Sequence, residues 1–282
     1  MTETIRTESK RPILEIKARK GWQLIDPKEL FEYRDLFFFL VWRDIKVLYK
    51  QTVLGFLWAV IRPVFSMIIF SIVFGRLAKM PSDGAPYPVF AYTALIPWTY
   101  FSTALSGSTQ SLISNVNMIT KVYFPRLIIP MTPVLAGLVD FAISFGVLAV
   151  LLAWYRIMPT AAVIVLPLLI ILMVLTAAGI GMWLSAMAIL YRDVRHALQF
   201  LIQLLMYAAP VVWPVSLVPE QYRLLYGLYP MAGVIEGFRS ALIGTPPIPW
   251  DLISMGSLSA ILIAVSGAFY FRRTERIFAD VA

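Results

Sequence analysis

Six long apolar stretches run through the chain, at roughly residues 53–76, 89–113, 127–155, 161–190, 198–218 and 252–271. A helix rises about 1.5 Å per residue, so about 20 apolar residues cross the hydrocarbon core of a bilayer, and each stretch is long enough. None shows the strict alternation with a polar inner face that marks an outer-membrane barrel. The pattern predicts an all-α, polytopic integral membrane protein with six transmembrane helices.

Ahead of the first span, Lys28 to Lys50 follows a helical period. Lys28, Glu32, Asp35, Arg43, Lys46 and Lys50 share one face, and Phe31, Phe38, Val41, Trp42, Ile45, Leu48 and Tyr49 share the other, interrupted by Arg34 and Asp44. Aromatic rings opposite a basic edge suit a helix lying at the headgroup boundary. A helix packed on a protein partner gives the same pattern. Direct continuity with a span, in Arg43–Pro63, favours the membrane surface. The expected divisions are therefore 1–27, a cytoplasmic amino-terminal tail; 28–50, the interfacial helix; 51–272, the membrane domain; and 273–282, a cytoplasmic carboxyl tail.

The spans are not uniform. Span one carries Arg62 beside Pro63. Span two contains Pro97 and turns polar from Ser102 to Ser111. Span three carries Asp140. Span four has a small-residue run at Ala177, Ala178, Gly179 and Gly181 that permits close helix contact, and span five is broken by Pro210 and Pro214. Between spans five and six, Pro219–Gly244 holds Glu220, Arg223, Glu236 and Arg239, too many charges for a crossing. Two short re-entrant helices fit it, since irregular backbone at membrane depth needs cover from protein or water.

Composition agrees with this class: 60% of the 282 residues are hydrophobic and 14% charged, against about 25% charged in soluble domains. The net charge of +8 follows from topology and needs no nucleic-acid partner. With both termini inside, only Arg76, Lys79, Arg156, Arg223 and Arg239 of the 24 Lys and Arg fall outside, and Arg62 falls within a span. The positive-inside rule favours that orientation. The first 29 residues carry no apolar core of a signal peptide.

Several chemistries are excluded. There is no cysteine and one histidine, His196, so thiol catalysis and His-rich metal sites are absent. No glycine precedes a lysine, so the chain has no P-loop. A membrane acyl- or glycosyltransferase would need converging acid–base groups, which Asp140, Glu236 and one histidine hardly supply. Residues of interest lie in spans and at their ends, as in a conduit.

Three stretches together, RDIKVLYKQTVLGFLWAVIRP from Arg43, NVNMITKVYFPRLIIP from Asn115 and GVIEGFRSALIG from Gly233, resemble the permease subunit of bacterial type-2 ABC exporters for cell-surface polysaccharide. The O-antigen exporters are nearest, with capsule and teichoic-acid exporters as relatives. The resemblance covers about residues 30 to 272 and leaves out the amino tail. It implies a homodimer in the bacterial inner membrane, paired with two copies of a P-loop ATPase that holds ATP and Mg. This chain would bind no cofactor. The implied cargo is a polysaccharide on undecaprenyl diphosphate, moved from cytoplasm to periplasm; a drug or small-lipid permease is the alternative within transport.

The same resemblance implies residue roles. ATPase coupling falls to Asn117, Lys121, Tyr123 and Phe124 within Asn115–Pro125, and to Arg192, Asp193 and Arg195. A periplasmic gate falls to Glu220, Tyr222, Arg223, Tyr229, Glu236 and Arg239. The physical reading runs alongside. Arg34, Arg43, Lys46 and Lys50 can offer charge-assisted bonds to a diphosphate, though positive-inside anchoring places the same residues there. Tyr92, Trp98, Tyr100, Phe101, Tyr207 and Trp213 are candidates to line a path for sugars, and membrane interfaces attract aromatics in any case. Arg62 and Asp140 lie roughly 10 to 20 Å from the inner surface by helix rise. They either pair between spans one and three or face polar lining separately. Glu236 and Arg239, three residues apart, are either a surface ion pair of little worth or a latch between gate and bundle.

Overall fold

The computed structural model describes residues 27–50, 55, 57–245, 247–275 and 278. The amino tail up to residue 26, residues 51–54 and 56 of the junction, and most of the carboxyl tail, Arg276 included, lie outside the described residues. All regular structure among the described residues is helical. The order is α1 (Pro27–Glu32), α2 (Arg34–Lys50), α3 (Leu57–Phe70) continuing into a π-helical turn (Ser71–Leu77), α4 (Tyr87–Ser114), α5 (Val116–Ile119), α6 (Ile128–Trp154), α7 (Leu166–Leu190) entered through a 3-10 turn, α8 (Asp193–Ala208), α9 (Glu220–Gly227), α10 (Pro230–Leu242) and α11 (Trp250–Thr274).

Four helical segments are long and apolar enough to cross a membrane: Leu57–Leu77, Ile128–Trp154, Ala161–Leu190 and Trp250–Thr274. They coincide with expected spans one, three, four and six. Helix α4 stands where span two was expected and is long enough at 28 residues, but its polar second half lowers its hydropathy. Four of its nine Ser and Thr hydroxyls bond back to their own helix, Thr93 to Val89 O, Ser102 to Thr99 O, Thr109 to Leu105 O and Ser111 to Ser108 O, while Ser108 Oγ is buried without a partner.

Expected span five is shifted. The helix starts at Asp193, five residues before the expected span, so Asp193–His196 forms its first turn while Tyr191 and Arg192 lie before it. It ends at Ala208, not near Val218. Pro210 pushes Ala209 into an extended conformation, ψ 145°, and no helix continues through it. At 16 residues, α8 spans about 24 Å.

Burial inverts the expectation for a water-soluble protein. Every residue of α10 is buried, although it carries Glu236 and Arg239. Helix α4 is buried from Val89 through Trp98. The most apolar segment faces, along α3, α6 and α7, stay exposed, with Phe65, Ile69, Val150, Ile164 and Ile171 among them. Lipid accepts apolar side chains, whereas polar groups need protein around them. Helices α7 and α11 meet through small residues. A Cβ on Gly179 would lie 2.8 Å from Ala264 Cα, and one on Gly267 would lie 2.5 Å from Gly179 O. Pro63 removes the N–H that Ala59 O would accept four residues on. Ser144 Oγ of α6 donates to that carbonyl instead, at 3.1 Å, and so fastens α3 to α6.

Candidate functional site

The densest polar structure surrounds the break after α8. A helix ends with carbonyls that lack partners, and in a membrane no bulk water replaces them. Here side chains do. Tyr229 Oη donates to Leu205 O at 3.3 Å, Tyr226 Oη to Ala208 O at 2.8 Å and Trp213 Nε1 to Tyr207 O at 3.4 Å. The irregular residues that follow are held likewise. Tyr87 Oη donates to Val212 O at 2.7 Å, and Arg239 donates to Val211 O at 2.9 Å and Trp213 O at 3.4 Å.

Arg239 is 0% exposed and is the centre of this group. Its Nη1 also meets Glu236 Oε2 at 3.1 Å, its Nε donates to Phe90 O at 3.4 Å, and its guanidinium lies 3.5 Å from the Phe90 ring centre. The pair Glu236–Arg239 is therefore a buried hub and not a surface ion pair. One planar fork reaches α4, the α8–α9 connector and its own helix. At the carboxyl end of α10, Thr160 Oγ1 donates to Ser240 O and Ala241 O.

The remaining gate candidates lie on or beside α9. Glu220 and Tyr222 are exposed. Arg223 pairs with Asp251 at 2.6 Å, which ties α9 to the start of α11. Ser216 Oγ donates to Asp83 of the α3–α4 loop at 2.9 Å.

At membrane depth, Arg62 and Asp140 do not form an ion pair. Asp140 accepts a short hydrogen bond from Tyr49 Oη, while exposed Arg62 lies 5.8 Å from the Trp58 ring centre on its own helix. The cause is the course of α2, whose end packs on α6 and brings a phenol to the carboxylate. Burial, and then the hydrogen bond to Asp140, raise the Tyr49 pKa well above the usual phenol range, so Tyr49 stays a proton donor at neutral pH. The aromatic candidates divide. Tyr92, Trp98, Tyr100 and Phe101 are packed in the core of the chain, with Tyr100 Oη donating to Val134 O at 2.8 Å, and present no open surface for a path in this conformation. Tyr207, in the last turn of α8, is exposed, and Trp213, in the connector after it, is half-buried.

On α2, Lys46 and Lys50 are exposed and Lys46 lies 5.3 Å from the Trp42 ring centre. Arg34 leans on Asp35 at 3.6 Å and on the Phe31 ring at 4.5 Å. Arg43 is bonded to Asp44 at 2.8 Å and to Asn115 Oδ1 at 3.3 Å, which joins α2 to the α4–α5 corner. On α5 and the loop after it, Asn117, Lys121 and Tyr123 point outward, but Phe124 is buried. Arg192 and Asp193 are exposed and Arg195 half-buried at the start of α8.

Sequence reasoning missed Tyr49 as the partner of Asp140, Tyr87, Tyr226 and Phe90 around the break, and Ser144 behind Pro63. The proline was itself a usable sign for the last, because a missing N–H always leaves a carbonyl to be satisfied.

Helices of membrane-crossing length around a buried polar gap between α8 and α9 define a multi-span membrane protein. Residues 35–243 match the ABC-2 type transporter family, and the chain belongs to it. Among its relatives are two proteins named O-antigen export system permease protein RfbA. That of Myxococcus xanthus is 28% identical over 252 residues, covering 88% of this chain and 96% of the relative. That of Klebsiella pneumoniae is 28% identical over 249 residues, covering 88% and 95%. The polysialic acid transport protein KpsM of Escherichia coli is 24% identical over 241 residues, covering 83% and 91%.

Proposed function

We propose that this chain is the membrane-spanning subunit of an ATP-driven exporter that moves a lipid-linked polysaccharide, such as O-antigen on undecaprenyl diphosphate, from cytoplasm to periplasm. The observation that carries the reading is the similarity to O-antigen permeases across almost the whole length of both chains. The weaker likeness to a polysialic acid transporter supports a capsule-type polysaccharide as the second reading.

In this proposal two copies of the chain form the conduit in the bacterial inner membrane, and two copies of a P-loop ATPase, holding ATP and Mg, drive it. Each copy crosses the membrane six times, through the four apolar segments together with α4 and α8, and both termini face the cytoplasm. Helix α2 lies at the inner surface, where Arg34, Arg43, Lys46 and Lys50 meet the diphosphate beside the lateral entrance. Asn117, Lys121 and Tyr123, with Arg192, Asp193 and Arg195, face the ATPase. Helices α9 and α10 form the outer mouth, with Tyr207 and Trp213 beside the path. Arg239 keeps the break after α8 closed around its carbonyls.

Deletion of the gene tests the function. The expected result is accumulation of lipid-linked glycan on the cytoplasmic side and its loss from the surface, restored by a plasmid copy. Normal surface glycan in the deletion strain would sink the proposal.

A further inference from the structure

Helix α5 is short, and the side chains of its neighbourhood point two ways. Asn117, Lys121 and Tyr123 face outward, while Ile119 and Phe124 are buried. The buried pair joins Leu112, Phe271 and Phe278 in one apolar cluster, in which the rings of Phe271 and Phe278 meet edge to face at 5.4 Å. Partly buried Leu30, Tyr33 and Leu36 of the first two helices close the cluster from the amino-terminal side.

A polar contact completes it across 149 positions of sequence. The Arg126 main-chain N–H donates to Glu275 Oε1 at 3.3 Å, and the Arg126 guanidinium donates to Glu275 O. The other carboxylate oxygen of Glu275 receives Arg272 Nη1 at 2.9 Å. Arg126 lies two residues before α6, next to its N-cap Leu127, and that helix start has no side-chain cap of its own. Glu275 therefore takes up the Arg126 N–H and sets its carboxylate at the positive end of the α6 dipole, while the first N–H groups of α6 itself, on Ile128 and Ile129, bond to Pro125 O and Arg126 O. The glutamate holds the α5–α6 corner against the end of α11, and α11 is in turn locked to α7 by the contacts of Gly179 and Gly267.

We infer that Glu275 is a positioning residue for coupling, fastening the α5–α6 corner to α11 so that force on α5 passes into α11 and α7 as well as into α4 and α6. This rests on the proposed reading of α5 as the ATPase-facing element. Glu275 touches neither cargo nor nucleotide in that scheme. It acts through the corner it holds.

The test uses the full chain purified with its ATPase. Glu275→Ala removes the carboxylate. Glu275→Gln keeps an acceptor for the Arg126 N–H and leaves the main-chain oxygen in place. The Ala variant is expected to retain the ATPase and to hydrolyse ATP, while glycan exported per ATP falls at least about fivefold, the lower end of coupling between distinct sites. The Gln variant is expected to stay near wild type. Wild-type export per ATP in Glu275→Ala would overturn the inference. So would loss of the ATPase from that variant, because Glu275 would then belong to the docking face itself. If the wild-type chain binds no ATPase, the reading of α5 fails, and trypsin cleavage after Lys121 still decides the clasp. Cleavage is expected to be faster in Glu275→Ala than in Glu275→Gln, and equal rates would overturn it.

Discussion

Arg239 ties three parts of the chain together. It satisfies carbonyls on the α8–α9 connector and on α4 while pairing with Glu236. Removing one partner of a buried ion pair strands the other, at a cost of about 3–5 kcal/mol. Arg239→Ala is expected to lose about that much, read as a large fall in thermal unfolding temperature of the purified protein. Arg239→Lys should fall between Ala and wild type, because an ammonium lacks the planar fork that reaches several carbonyls at once. A lysine variant as stable as wild type would show that charge alone suffices. The two charges on an apolar helix were visible in the sequence, and so was a latch between gate and bundle as one of their readings. Their partners were not, because main-chain carbonyls of residues 211 and 213 leave no mark in residue type. Asp140 teaches the same lesson from the other side. Its place within an apolar helix of spanning length was legible, but its partner Tyr49 comes from a helix whose packing angle no periodicity reports. Tyr49→Phe is expected to cost about 1.5–3 kcal/mol, the range for hydrogen bonds to charged groups, measured by the same unfolding assay. No change in that variant would mean that the contact contributes nothing.

Among the helices, the tightest meeting is that of α7 with α11. A Cβ on Gly179 would press on the Ala264 backbone, and backbone yields far less than a flexible side chain. Gly179→Leu is therefore expected to abolish folded protein in the membrane, whereas Gly146→Ala, with open space around the new atom, should express normally. Comparable yields of the two by size-exclusion profile would contradict the packing described. That the fourth apolar stretch permits a close helix contact was readable from its run of small residues, but its partner α11 was not. The fifth stretch was less readable. Hydropathy carried it past Pro210 to Val218, but the proline and its extended neighbour end α8 at Ala208. The residues beyond are as apolar as a span, but the carbonyls of Val211, Val212 and Trp213 accept from the side chains of Arg239 and Tyr87 and not from an α-helical ladder. The polar half of α4 was likewise open to two readings. Ser102, Thr109 and Ser111 turn back onto carbonyls of their own helix, so part of the polarity is absorbed there, while Ser108 Oγ stays buried without a partner.

For the molecule as a whole, the class was legible from segment lengths and low charge, and the family from three short stretches. The distribution of burial was not, because hydropathy ranks α4 and α10 below the lipid-facing helices although they are the most enclosed. The proposed orientation makes a separate prediction. The chain has no cysteine, so single cysteines can be read without background. Lys121→Cys should react with an impermeant maleimide only from the cytoplasmic side, and Asp83→Cys only from the periplasmic side. Labelling of both from one side would refute the topology. The central claim, ATP-driven movement of a lipid-linked glycan through this chain, is tested most directly in inverted inner-membrane vesicles carrying the chain and its ATPase. The vesicles receive labelled lipid-linked glycan with ATP and magnesium. The account predicts that the glycan passes into the lumen, beyond reach of an external lectin, only when ATP and this chain are both present. Equal lectin access with and without ATP, or protection in vesicles lacking this chain, would contradict it.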